Sequence, residues 1–404
     1  MATYIGTPGV GTDNTASLGA DDIVREIARE VLIHDRNTKS PLLTYLTLTK
    51  MAMEDSSNPF FEWQENQYDY GTHTVAGGIA SALAGATQVV NIDSPSTVVG
   101  DSFWEASSEQ FFIVTAVGTR TSTHTDITIK RLPTTSATNA VSGSVTLMSQ
   151  GTLAPEGAYF PDAKSTRPTA YGNNIQATTC SIDITDVLSK TATYYGSKWE
   201  TNKDAALTQF RADIERNILT GVFSTTTSFA QAGVNGTTTS TLRTTRGIVN
   251  MENIQNDTYS GNFDEATMDE LCGATVWGSK FSGSPEKFFF FGRDSHKNFN
   301  KDIKDKLRVL QMGKQLYGLT IGAYQYGEFT AMIMTEREFW EVPQYQTAVL
   351  VVDPKFIKLR KYPGNFMEMY DTSPTNRLTK SLGVVAYYGV QSMYGQAHTL
   401  MTQV

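Results

Sequence analysis

The chain is short of most of what catalytic and metal-binding proteins concentrate. Two cysteines, Cys180 and Cys272, occur in 404 residues. They are too few for a disulfide framework and wrongly spaced for a zinc site, and they suit a reducing compartment as small buried hydrophobes. Five histidines, His34, His73, His124, His296 and His398, are scattered with no two at metal-ligand spacing. Charged residues make up only 18%, below the usual share for a globular chain. The net charge of −8 argues against a chain whose main work is to neutralise nucleic-acid phosphate. No apolar run reaches the roughly eighteen residues that span a membrane, and MATYIGTPGVGTDNTASLG has neither the basic start nor the apolar stretch of a secretory leader. There is no G-x-S-x-G elbow, no lysine-bearing phosphate loop and no GxGxxG following a strand. GTPGVG, Gly6 to Gly11, lacks the lysine, precedes no buried strand and reads as a mobile tail. These absences leave no catalytic constellation, no cofactor site and no metal site to expect.

What is present is apolar patterning, 40% of residues, in a chain long enough for two or three domains or one large body with insertions. The stretch Trp199 to Gly221 repeats Leu207, Phe210, Ile214 and Ile218 at three- and four-residue spacing, with Asp204, Arg211, Asp213, Glu215 and Arg216 mainly off that stripe. This predicts an amphipathic helix of about five turns. Thr201 or Asn202 is expected to cap its start, and Gly221 to close it in the left-handed conformation. A surface poor in charge and rich in Thr, Ser, Gly and Tyr suits a protein that lives against other protein surfaces.

Around that helix the chain is strand-rich. ADDIVREIAREVLI predicts an earlier helix with Ile23, Ile27 and Val31 on one face, which has little core of its own to bury into and is expected to pack on another chain. LLTYLTLTKMAM reads equally as strand or helix. Phe61 and Trp63 alternate with Glu62 and Gln64 as a strand leaving the body. Residues 71–151 then contain five short strands, ATQVVNID, DSFWEA, QFFIVTAV, TDITIKR and SVTLMS, separated by turns such as Gly100-Asp101 and expected to form a small β subdomain or a two-armed excursion with almost no helix. A strand over Ala177 to Thr191 precedes the central helix, and the Thr- and Ser-rich stretch from Gly221 to Thr245 reads as a surface loop. Beyond it come a helix over FDEATMDELCGATVWGS, a buried FFFFG strand, a helix over SHKNFNKDIKDKL, and strands at YGLTIGAYQYG, TAMIMT, TAVLVVD, FIKLRKY and GVVAYYGVQSMYGQAHTLM. The alternation lacks a regular βαβ rhythm, so the fold class is α+β.

Three charge clusters need a reading. Asp264, Glu265, Asp269 and Glu270 stand where a helix start favours negative charge, although the same pattern is compatible with calcium or acid–base chemistry. Lys297, Lys301, Lys304, Lys306, Arg308 and Lys314 form the only candidate phosphate-facing patch, but Asp302 and Asp305 interleave it, as in a solvated helix face or subunit contact. Lys355, Lys358, Arg360 and Lys361 form a second cluster on a strand.

The order of elements, and several local stretches, resemble the major capsid proteins of tailed bacteriophages. NPFFEWQEN, Asn58 to Asn66, is similar to the strand that opens the extended loop in a subgroup of that family. VVGDSFWEASSEQFFIVTAV, Val98 to Val117, with ITIKR after it, resembles that subgroup's inserted β module. LAPEGAYFP, Leu153 to Pro161, resembles the loop's return, and ADIERNILTG, Ala212 to Gly221, the end of the spine helix. LRTTRGIVNMENI resembles the entry to the axial domain, and YGLTIGAYQYG and TAVLVVDPKFIKLR its later strands, whereas FFFFGRDSHKNFN is only loosely like its counterpart.

The resemblance implies an N-terminal arm over 1–57, an extended loop with an inserted β subdomain over 58–165, a peripheral domain with the spine helix over 166–235, an axial domain over 236–344, and late strands over 345–404 shared by the last two. It implies a virion subunit, assembled in the bacterial cytoplasm, that forms hexamers and pentamers of a closed shell. Expansion of that shell would move spine and loop as levers. Portal, scaffolding and decoration proteins are the implied partners, packaged DNA is touched weakly, and no membrane is involved. Ile23, Ile27, Phe61, Trp63, Trp104 and Phe111 are the candidate intersubunit contacts, and Leu207, Phe210, Ile214 and Ile218 the spine-helix core. An encapsulin-like bacterial shell, with a much shorter loop, and a secreted tail or adhesin component are the rival structural readings.

Overall fold

The computed structural model describes residues 42–43, 53–66, 71–75, 77–79, 86–121, 124–132, 144–164, 168–191, 198–229, 240–279, 283–304, 314–316 and 319–404. The helix expected over ADDIVREIAREVLI, with Ile23 and Ile27, lies outside these residues, as do Lys306 and Arg308.

Leu42 and Leu43 are helical and buried. After Met53–Asp55 (β1), Phe60–Glu65 (β2) leaves the body paired antiparallel with the strand that later returns. Between the two arms of that ribbon lie Thr72–Val75 (β3), Thr87–Ile92 (β4), Asp101–Glu105 (β5), Gln110–Arg120 (β6), Thr125–Arg131 (β7) and Val145–Thr152 (β8). They close into a barrel in the order β3-β4-β7-β6-β5-β8. Alternation explains the closure: Val75, Val90, Ile92, Phe103, Phe112, Val114, Ile127, Ile129, Val145 and Leu147 all point inward and form a core of their own. Closing the sheet also removes the exposed edges that short antiparallel strands would otherwise present. Gly100, at φ +93, makes the tight entry into β5.

The ribbon returns as Thr169–Asn174 (β9) and runs into Gln176–Thr185 (β10). The strand expected to reach Thr191 stops at Thr185, because Thr185 caps a short helix, Asp186–Lys190 (α1), with its hydroxyl accepting from the Leu188 amide. Lys198–Thr220 (α2) is the long central helix. Thr201 and Asn202 therefore lie inside the helix and do not cap it.

Gly221 is not left-handed either. Its amide still bonds to Asn217 O, and a Cβ there would lie 2.5 Å from both Asn217 O and Thr245 O. Glycine is needed for the close crossing with Gly247, whose amide donates to Gly221 O at 2.8 Å.

The stretch expected as a loop is a hairpin, Ser224–Phe229 (β11) with Ser240–Thr244 (β12). Threonine suits a strand by its β-branch, while its polarity suggests a loop. Gln255–Tyr259 (β13) carries almost no apolar signal. Glu265–Glu270 (α3) follows and continues as a π-helical turn, Leu271–Val276. Next come Glu286–Phe291 (β14), Arg293–Lys304 (α4), Lys314–Leu316 (β15), Leu319–Tyr326 (β16), Phe329–Thr335 (β17) and a single turn, Glu338–Glu341 (α5). The chain ends with Val349–Val352 (β18), Ile357–Lys361 (β19), Met367–Asp371 (β20), Thr379–Ser392 (β21) and Thr399–Gln403 (β22).

A mixed seven-stranded sheet, β13-β22-β18-β14-β17-β16-β15, carries the body. The FFFF run of β14 shows how. Phe288 and Phe290 face a core shared with α2, whereas Phe289 and Phe291 face a second core with α3, the π turn and Phe299 of α4. A strand buried on both faces needs a continuous apolar run. The second sheet, β1-β19-β21-β10 with β20 also on β21, contributes Leu359, Val384, Ala386, Tyr388 and Val390 to the α2 core. The described elements are thus α+β, with the barrel carried out on the β2–β9 ribbon.

Candidate assembly surfaces

The spine helix α2 is locked down on the body. Phe210, Ile214 and Ile218 are buried, and Leu207 packs partly buried against the same cluster. Leu219 and Ala212 are buried as well, and so is Glu215, which the helical stripe left among the polar residues. The reason is a second covering. Leu42 and Leu43 lie over the flank of the helix, and their amides donate to Glu215 Oε1 at 3.0 Å and Oε2 at 2.7 Å. Nothing in the spacing of the helix signals a cover supplied by residues so far away in sequence.

Phe61, expected as a contact between copies, is used within its own chain. It keeps 7% of its surface and sits over Gly389, where a Cβ would lie 2.6 Å from the ring, with the Arg360 guanidinium 5.8 Å from its centroid. Trp63 is half-buried, stacked between Phe61 and Tyr171 at centroid distances of 6.0 and 6.3 Å. Its indole N–H donates to Glu65 Oε1 at 2.7 Å, and the Tyr394 amide donates to the same oxygen at 2.8 Å. These contacts anchor the base of the ribbon to the body. Three of the four residues of the second basic cluster lie on β19 and are similarly engaged by β1: Lys358 and Arg360 pair with Glu54, and Lys361 pairs with Asp55 at 2.7 Å, whereas Lys355 lies in the turn before the strand. The Lys358 partner in particular holds the Glu54 carboxyl below its ordinary value.

Trp104 and Phe111 are brought together. They are cross-strand partners on β5 and β6, and Met148 on β8 is the partner of Trp104 on its other side. All three point outward from the barrel, with Met148 45% exposed. They form an apolar stripe across three neighbouring strands, well separated in sequence from Phe61 and Trp63. Beyond β8 the segment from Leu153 to Lys164 is exposed throughout, with Tyr159 at 97% and Phe160 at 100%. Both its ends are tied to the barrel. Leu153 N donates to Gly100 O at 2.8 Å, and the Lys164 ammonium meets the buried Asp101 carboxylate at 2.8 Å. That carboxylate also accepts from Thr152 Oγ1 at 2.6 Å and Val98 N at 2.9 Å. The sequence singled out this stretch as the loop's return without indicating how far its aromatics stand in solvent.

The remaining charge clusters have local explanations. Asp264 caps α3, its Oδ1 accepting from the Thr267 amide at 2.8 Å and hydroxyl at 2.7 Å, and the amide bond above all holds its carboxyl below the ordinary range. Asp269 accepts from the Tyr324 hydroxyl, and Asp302 accepts from the Glu265 amide. Lys297 and Lys301 are exposed on α4. Among the described residues no group of three or more His, Cys, Asp and Glu is placed to hold a metal ion, and no helix is long and apolar enough to cross a membrane.

Comparison with known proteins supplies the context. Among solved structures, the capsid of a native GTA particle is similar with a TM-score of 0.50 and 8% identity, over 96% of this chain and 98% of that one. The cyanophage Pam1 capsid matches with a TM-score of 0.44 and 9% identity over 96% and 98% of the two chains. The holo-SrpI encapsulin complex from Synechococcus elongatus PCC 7942 matches with a TM-score of 0.38 and 11% identity over 59% and 77%. Only the first of these is close enough to bear on the fold, which is that of tailed-phage capsid subunits. A search of curated proteins finds no match. The family model for the SU10 major capsid protein matches residues 10–404. The chain belongs to the SU10 major capsid protein family and is a structural protein of a viral shell.

Proposed function

We propose that the chain assembles through hexamers and pentamers into an icosahedral head around packaged double-stranded DNA, with its regions dividing the work. On this reading 1–57 is an arm reaching a neighbour, 58–165 an extended loop carrying the barrel, 166–235 the peripheral domain, 236–344 the axial domain, and 345–404 strands serving both. Assembly takes place in the host cytoplasm, and portal, scaffolding and decoration proteins complete the particle. A net charge of −8 lets the inner surface tolerate the genome without gripping it.

The observation that carries this reading is the barrel on its two-stranded ribbon. It has a core of its own, and it presents outward the Trp104, Phe111 and Met148 stripe and the exposed Tyr159 and Phe160. A free monomer gains nothing by holding these side chains in water. Covering Tyr159 or Phe160, which stand almost wholly in solvent, removes on the order of 150–250 Å² each, the half-buried Trp104 and Phe111 add less, and such anchors dominate interface energy. The interfaces of a closed shell repeat around every subunit, so even modest patches sum to a stable particle.

The test is a double substitution, Trp104→Ser with Phe111→Ser. Both side chains face out of the barrel and neither belongs to its core, so the barrel should still fold, which calorimetry of the unassembled subunit checks. Shell formation, scored by negative-stain electron microscopy, should fail or fall steeply. Shells at wild-type yield would remove the stripe from the interface.

A further inference from the structure

We propose that Glu215 on α2 and Glu336, just after β17, share a single proton, and that this proton closes a clasp holding Leu42 and Leu43 against the spine helix. Both carboxyl groups are completely buried. Glu215 gives one oxygen to each of the two leucine amides. Glu336 Oε1 accepts from the Glu338 amide at 3.1 Å, whereas Oε2 is buried with no hydrogen-bond partner among the described groups. The two side chains are within hydrogen-bonding reach of each other. Two ionised carboxylates can only accept, so as a dianion the pair would leave that oxygen orphaned beside a like charge. With a proton on Glu336 Oε2, the O–H donates to Glu215 and the orphan is satisfied. Glu215 then remains the anion, the form that its two N–H donors favour.

The surrounding charges support one negative charge at this place, not two. Glu338 faces the pair from α5, but its carboxylate is held by Arg216, Nε at 3.0 Å and Nη2 at 2.9 Å. The same guanidinium also reaches Asp213 at 2.9 Å on the outer side of α2. Arg337 lies with its guanidinium 4.7 Å from the Trp340 ring centroid. Burial raises both carboxyls above their ordinary value, and the charge of Glu215 adds to the rise at Glu336.

The direction of the pH response follows. In an open chain both groups lose their protons near 4.5, while the closed clasp keeps at least one to neutral pH and beyond. Between those limits the closed state binds more protons than the open one, so closure is favoured at low pH and weakens as pH rises. The change is about tenfold in the closed-to-open ratio per pH unit for each proton held. The proton on Glu336 is the last to leave, so the clasp opens on the alkaline side. On opening the proton goes to solvent, the Leu42 and Leu43 amides leave Glu215, and no covalent bond changes apart from the O–H. Leu42 and Leu43 belong to the 1–57 section, so the clasp makes the attachment of that section to the spine sensitive to protons.

The full-length chain suffices for the test. Glu336→Gln places an amide N–H where the shared proton sits, donating at every pH. Infrared spectra of the wild-type protein near neutral pH should show the carbonyl stretch of a protonated buried carboxylic acid, lost on alkaline titration and absent from Glu336→Gln. Amide-exchange protection of the peptide containing Leu42 and Leu43, corrected for intrinsic rates, should fall about tenfold per pH unit on the alkaline side in the wild type. It should stay flat in the variant. An infrared spectrum without the acid band at neutral pH would overturn the proposal, even where the variant does not fold. The same alkaline loss of protection in both proteins would overturn it too.

Discussion

At Phe210 the ring lies 2% exposed between the α2 backbone and the sheets beneath, in one cluster with Ile214, Ile218, Phe288 and Tyr388. Removing such a ring costs about 3–5 kcal/mol in lost transfer and cavity, and Phe210→Asp adds a carboxylate with no cation to meet it inside the cluster. The variant should therefore be insoluble, or should unfold at a much lower denaturant concentration than the wild type. A soluble, assembling Phe210→Asp protein with wild-type denaturation midpoint would mean that the spine is held elsewhere. Residues of this kind were legible in the sequence because helical periodicity reports them directly. Glu215 was not. It adjoins Ile214 at the margin of the apolar stripe, and what buries it is the pair Leu42 and Leu43, whose position no local pattern encodes. Phe61 shows the opposite displacement, since an alternating aromatic that looked free for a partner is taken up by its own chain at Gly389 and Arg360.

Among the elements, the barrel was the most readable, because most of its strands alternate and three of its five connections carry glycine or proline. Its closure was not readable. Whether short antiparallel strands form a meander, a two-armed excursion or a barrel depends on β3 pairing both β4 and β8, and a strand of four residues leaves little trace. The hairpin β11–β12 and the strands β13 and β20 were missed because polar or edge strands lack the apolar alternation that marks half-buried ones. The separate core of the barrel leads to a distinct expectation. Phe112→Ala, 1% exposed at its centre, should cost about 3–5 kcal/mol and lower one transition in calorimetry while leaving the melting of the body in place. A single transition, shifted as a whole, would show that ribbon, barrel and body unfold together.

For the whole molecule, the low charge, the exposed return segment from Leu153 to Lys164, the outward stripe on the barrel and a family match over nearly the full chain concern one property, association with further copies. The α+β class and the shell role could be read from the order of elements. Which surfaces meet could not, because an interface between copies is written partly on the neighbour. The most direct measurement is cryo-electron microscopy of the full chain, expressed alone and together with its neighbouring reading frames. Closed shells or capsomer rings are expected, with each barrel covered along Trp104 and Phe111 by an adjacent subunit. Monodisperse monomers under every condition, with no assembly when the neighbouring products are supplied, would contradict that expectation.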